Sequence, residues 1–379
     1  MSGHSTISGR DPATGAGIAV EIDNGRISAI RPADAPAETW LSCGLVDLQV
    51  NGYGGLDLNS PDLTTDTVAA LVAMLARLGT TTFLPTLITA SEAQITAGLR
   101  TIAEARRRFP EVERAVPGIH VEGPSISAQD GPRGAHPLEH VRAPDLAEFE
   151  RWQAAGDGLI RLVTLAPEQQ GAAAYIRALS KRGVVVALGH SAATAEQIAT
   201  AVDAGARLST HLGNGVASTL PRHPNLIWAQ LADDRLTASF IADGHHLSAE
   251  TFRAMLRAKG RERAILVSDS VALAGQPAGR YRQPVGGDVE VFSNGRIGVA
   301  GTPYLAGAGL PLSANLSRAM AMASLTPQEA FPLVIDNPAR LIGMTPRLAV
   351  GEPANLLRWR ANDSALDVET VWVAGDEVR

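Results

Sequence analysis

Residues 15–31, GAGIAVEIDNGRISAIR, alternate apolar and polar positions on either side of Asn24-Gly25. A period of two around an Asn-Gly pair predicts a half-buried β-hairpin closed by a type I′ turn. The other end of the chain repeats the pattern, with alternation over 355–359 and 370–378 and a turn near Gly375-Asp376. Between the two ends lie eight apolar, strand-like runs: 46–50, 80–84, 117–121, 160–165, 184–188, 207–210, 236–241 and 264–268. Helical or loop segments separate them, including helices predicted over 67–78 and from an N-cap at Ser91 to Arg108. Eight parallel strands with crossover helices form a closed (β/α)8, TIM-like barrel, here expected over residues 45–345. The strand pairs at the two ends predict a small β-sandwich domain assembled from residues 1–44 and 346–379. Residues 281–299 look like a hairpin inserted after the eighth strand.

Composition narrows the function without changing the fold. At 379 residues and 45% hydrophobic, the chain has ample material for one large core. Lys and Arg total 33 against 39 Asp and Glu, a formal net charge of −6, which argues against nucleic acid or an anionic membrane as partner. The single cysteine, Cys43, excludes an intrachain disulfide and fits a reducing compartment. The N-terminal residues contain no apolar stretch of the signal-peptide kind, and no run of about 18 apolar residues could span a bilayer. The expectation is a soluble, cytoplasmic protein.

Candidate chemistry sits just past the apolar runs. Glu122 follows the third, His190 the fifth, His211 the sixth and Asp269 the eighth. In a barrel of this kind those strand ends converge on one pocket. Two neutral imidazoles and a carboxylate, with a position left open, are the usual composition of a hydrolytic zinc site. A cation held there lowers the pKa of water to about 7. Asp269 is then either the group that takes the water's proton or a further ligand. The glycines at 52, 54 and 55 lack both a Walker lysine and GxGxxG spacing, and read as turn geometry.

The segments GLVDLQVNG, HVEGP, VTLAPE, LGHSAA, STHLGN, IADGHH and LVSDS occur in this order along the chain. Their order and content resemble the amidohydrolase superfamily, and most of all its N-acetylglucosamine-6-phosphate deacetylase branch. The resemblance covers nearly the whole chain. It implies one divalent metal per chain, zinc with iron or manganese as alternatives, held by Glu122, His190 and His211. It implies Asp269 as catalytic acid/base and His136, in GAHP, as the group that polarises the scissile carbonyl. Asn214, Gly215, Arg222 and His246 match positions that contact the sugar phosphate, and Leu305, Ala306 and Gly307 match a loop against the sugar. In this branch the arginine can come from the partner of a homodimer. Where many amidohydrolases carry His-x-His on the first strand, this chain has Gln49 and Asn51, so the expectation is one metal rather than two.

Departures from the branch pattern bear on the substrate. The branch usually has His-Leu-aromatic-Asn-Ala-Met after the sixth strand, whereas this chain has His211-Leu-Gly-Asn-Gly-Val. Gly213 and Gly215 therefore predict a wider or more mobile pocket wall. The expected reaction is hydrolysis of the N-acetyl amide of an amino-sugar phosphate, N-acetylglucosamine 6-phosphate first. The alternatives are a deacetylase for another N-acetylated sugar or N-acyl amino acid, and a catalytically silent sugar-phosphate binding protein.

Overall fold

A computed structural model describes residues 5–283, 287–302, 304–362 and 366–378. Residues 284–286 of the expected inserted hairpin, and 1–4, 363–365 and 379 of the terminal segments, lie outside the described residues.

The eight central strands pair in chain order into one parallel sheet: Leu45–Val50, Thr80–Ile88, Ile119–Glu122, Ile160–Leu165, Val185–Leu188, Leu208–Ser209, Thr237–Phe240 and Ala264–Leu266. We refer to them as barrel strands one to eight. The ring closes at the strands' C-terminal rim, where Val50 bridges Ser270 and the backbone N–H of Asp269 donates to Gln49 O at 3.0 Å. Strand two runs four residues past its predicted end, because Thr80 to Leu87 is continuously buried. Strand six is reduced to two residues, and the backbone turns at once into the His211 loop.

Local sequence explains the crossover helices. Thr64 and Ser91 cap helices Thr65–Arg77 and Glu92–Arg108, their hydroxyls accepting the N–H of Thr67 and Gln94. Val68, Leu71, Val72 and Leu75, at helical spacing, face inward and pack with Leu99, Ile102 and Phe83 in the main core. No helix among the described residues is long and apolar enough to cross a membrane.

Both chain ends contribute to one seven-stranded sheet. Its order is Asp376–Glu377, Leu366–Val373, Leu356–Ala361, Thr39–Cys43, Ser5–Arg10, Gly17–Asp23 and Arg26–Pro32. Every pairing is antiparallel except that of Ser5–Arg10 with Thr39–Cys43. Trp40, Leu357 and Trp359 on one face share a core with Leu316 and Phe331, and this joins the sheet to the barrel. The buried Trp359 indole N–H donates to Ser42 Oγ at 2.8 Å, so its polar atom is satisfied. The segment after strand eight is richer than a hairpin. Gly279–Gln283, Gly287–Val291 and Ile297–Val299 form a three-stranded antiparallel sheet around Val289, Val291, Ile297 and Leu273. The glycine cluster after strand one closes a short hairpin, Gly52–Tyr53 with Leu56–Asp57, as turn geometry requires.

Candidate metal centre and substrate pocket

A cavity of about 620 Å³ opens at the C-terminal rim of the barrel. Eleven of the twelve site residues expected from the sequence line it: Glu122, His136, His190, His211, Asn214, Gly215, His246, Asp269, Leu305, Ala306 and Gly307. Val289, Val299 and Tyr304 of the inserted segment add an apolar wall. Arg222 is the exception. It is exposed on the loop beyond His211 and does not reach the cavity. Among the described residues no Lys or Arg lines the pocket, so histidine is the only cation-capable side chain there.

Strand ends place the central groups. Glu122 is the last residue of strand three, while His190, His211 and Asp269 follow strands five, six and eight with φ of 49°, 30° and 49°. Left-handed backbone costs a non-glycine residue of order 1–3 kcal/mol and persists only where surrounding structure enforces it. Here it turns three side chains over the barrel mouth at the positions assigned to chemistry.

Glu122 is the hub. Its Oε1 lies 3.1 Å from His211 Nε2 and 3.4 Å from His190 Nε2, and it accepts the Gln49 amide at 3.1 Å. Burial alone would raise the Glu122 carboxyl. Hydrogen bonds and charge from His190 and His211 outweigh it and hold the group well below the ordinary carboxylate range. Burial likewise pulls His211 down, but its contact with Glu122 prevails and its pKa is raised. An ionised carboxylate facing two imidazoles is a cation site in its chemistry. His190 is in the tautomer a ligand needs: its Nδ1 lies 2.9 Å from Pro132 O, which only accepts, so the proton is on Nδ1 and Nε2 is free. The residues therefore fit a divalent cation. His136 also comes close: its ligand atom and those of Glu122 and His190 lie within 4.8 Å of one another. Burial, then the charge of His190, lowers the His136 pKa to about 3, so the ring is neutral.

Gln49 and Asn51 each hold a carboxylate of the centre. Gln49 donates to Glu122, and Asn51 donates from Nδ2 to Asp269 Oδ1 at 2.8 Å. Neutral amides at the first-strand positions hold the two carboxylates by hydrogen bonds. Burial and the Glu122 charge raise the Asp269 pKa from 3.8 to about 6, with His211, His246 and Asn51 pulling the other way. Asp269 is thus largely ionised at neutral pH yet close enough to be reprotonated.

Asp243 and His245, both in the IADGHH segment, do not line the cavity. Asp243 supports it instead, its Oδ2 2.7 Å from His246 Nδ1 and its Oδ1 accepting the backbone N–H of His245 and His246. At Gly213 and Gly215, where a wider or more mobile wall is expected, neighbouring side chains stand close to the backbone. A Cβ on Gly215 would lie 2.8 Å from His190 Nδ1, and one on Gly213 would lie 3.0 Å from Leu247 Cδ2. Neighbouring side chains fill the volume that the missing groups leave.

Known proteins resemble this chain over nearly its whole length. A model of the amidohydrolase family matches residues 40–378. An N-acetylgalactosamine-6-phosphate deacetylase from Escherichia coli O157:H7 is 34% identical over 94% of this chain and 93% of its own length. An N-acetylglucosamine-6-phosphate deacetylase from Bacillus subtilis is 31% identical over 89% and 87%. Among solved structures, a mutant N-acetyl-D-glucosamine-6-phosphate deacetylase from Mycobacterium smegmatis, in complex with N-acetyl-D-glucosamine-6-phosphate, superposes with a TM-score of 0.87. Its identity is 31%, over 99% of each chain.

Proposed function

The chain belongs to the amidohydrolase family, and from that premise we propose that it hydrolyses the N-acetyl amide of an amino-sugar phosphate, N-acetylglucosamine 6-phosphate, to the free amine and acetate. The observation that carries this reading is the convergence of Glu122, His190, His211 and Asp269 on one pocket. Glu122, His190 and His211 would hold one divalent cation, zinc in this reading, which would supply Lewis acidity and bring the pKa of an attacking water near neutrality. Asp269 takes the proton from that water as its oxygen adds to the acetyl carbon. His136 donates a hydrogen bond to the carbonyl oxygen and to the negative charge that develops on it. As the C–N bond breaks, Asp269 returns the proton to the leaving nitrogen.

His246, buttressed by Asp243, and Asn214 with the Gly215 backbone bind the phosphate end and so hold the amide over the metal centre. Arg222 reaches that phosphate from the partner of a homodimer, which fits its exposure and its distance from the pocket of its own subunit. The enzyme works in the cytoplasm, consistent with its single cysteine.

The 34% identity to an N-acetylgalactosamine-6-phosphate deacetylase favours a second reading, the C4-epimeric substrate. The test is acetate release by zinc-loaded protein from both 6-phosphates and from unphosphorylated N-acetylglucosamine. Turnover of one 6-phosphate well above the other assigns the sugar. Preference for the unphosphorylated sugar would refute the phosphate subsite.

A further inference from the structure

Three histidines crowd the metal centre, and their second ring nitrogens are held by different chemistry. His190 Nδ1 faces a backbone carbonyl, a pure acceptor. His211 Nδ1 is buried with no partner. His136 Nδ1 lies 2.9 Å from the hydroxyl of Thr89, a residue 1% exposed and the first after barrel strand two. A hydroxyl can donate or accept, so this contact alone permits either tautomer.

The surroundings of Thr89 decide between them. Its hydroxyl has one proton and two neighbours that could take it, His136 Nδ1 at 2.9 Å and Glu122 O at 3.4 Å. If His136 were the donor, the Thr89 proton would be left with the 3.4 Å contact, at the limit of a useful hydrogen bond. If Thr89 is the donor, its proton lies in the shorter contact and Nδ1 needs none. Gly123, directly after Glu122, keeps this space open: a Cβ there would lie 2.2 Å from Thr89 Oγ1.

We propose that Thr89 is a positioning residue whose hydroxyl donates to His136 Nδ1 and so fixes the ring with its proton on Nε2. His190 and His136 then have opposite tautomers, set by what stands behind each ring. A carbonyl behind His190 makes it a metal ligand, and a hydroxyl behind His136 makes it a hydrogen-bond donor to the substrate carbonyl rather than a fourth ligand. This inference rests on the reading of His136 as the polarising group.

The test combines nitrogen-15 NMR of the zinc-loaded protein with three variants. The His136 signals are assigned by their loss in His136→Gln. The expected spectrum has a pyridine-type shift for His136 Nδ1 and a pyrrole-type shift for Nε2. Thr89→Val, nearly the same shape without the hydroxyl, should lose that tautomer and lower kcat about 10–100-fold, with KM nearly unchanged and one zinc per chain retained. Thr89→Ser should restore both the tautomer and most of kcat. A protonated Nδ1 in the unaltered protein, or full turnover in Thr89→Val, overturns the inference. His136→Gln separates the two claims. If it is inactive while Thr89→Val is fully active, the tautomer inference alone fails. If His136→Gln keeps its turnover, the polarising role itself fails.

Discussion

Gly215 stands directly against His190, and Gly215→Ala measures how tightly the metal centre is packed. Its φ is +59°, and an added Cβ would lie 2.8 Å from Nδ1, 3.1 Å from Cε1 and 3.2 Å from Cγ of His190. The ring cannot swing away cheaply, because Nδ1 donates to Pro132 O and Nε2 faces Glu122. A left-handed alanine costs about 1–2 kcal/mol and overpacking a filled site about 1–3 kcal/mol, so the variant should lose roughly 2–5 kcal/mol in all. Part of that cost falls on His190 as a ligand, so zinc affinity should fall about 10–100-fold. Gly213→Ala on the same loop is the control. Its φ is +98° and its Cβ would meet the tip of Leu247 at 3.0 Å, which gives a stability cost with zinc binding unchanged. Competition with a chromophoric chelator gives the zinc Kd of each, and thermal melts give the stability. If Gly215→Ala bound zinc as tightly as the unaltered protein, His190 would not be a ligand held against that glycine.

Other consequences follow from the same geometry. Asp269→Asn should lower kcat about 10²–10⁴-fold while zinc content stays at one per chain; steady-state kinetics with metal analysis decide it. Asn51→Ala removes a hydrogen bond to the Asp269 carboxylate worth about 1.5–3 kcal/mol, so the Asp269 pKa rises further and the acid limb of kcat/KM moves up by about one pH unit or more. Unchanged pH profiles would exclude that contact. Asp47, buried in strand one, accepts the backbone N–H of Gln49 and Ser268, and burial raises its pKa from 3.8 to about 7. The folded state therefore binds this proton more tightly than the unfolded state. That contribution is fully present below about pH 4 and is lost as pH rises to about 7, for a total of about 4 kcal/mol. Asp47→Asn should flatten the slope, seen as urea midpoints that differ less between pH 5 and pH 8.

Much of this arrangement was legible in the sequence, for identifiable reasons. Barrel strands are buried on both faces, so they read as apolar runs, and each chemical group comes one or two residues after its run. That made Glu122, His190, His211 and Asp269 findable from position alone. His136 and His246 stand on irregular loops with no periodicity to locate them, and only the family resemblance singled them out. Thr89, Asn51 and Asp243 act through contacts with residues 47, 218 and 3 positions away. The distant partners of Thr89 and Asn51 leave no local signature, because a buried threonine or asparagine after a strand is ordinary sequence. The neighbours of Gly213 and Gly215 were hidden for a related reason. A missing side chain reads as empty space until the neighbours that fill it are known, and those neighbours are His190 and Leu247.

The central claim is a one-metal hydrolase whose first-strand amides take the place of a second metal site. It is tested most directly by titrating metal-free protein with zinc while following acetate release from N-acetylglucosamine 6-phosphate. With Gln49 and Asn51 engaged on Glu122 and Asp269, activity should rise linearly and break at one equivalent of zinc per chain. A break at two equivalents, or full turnover before any zinc is added, would contradict it.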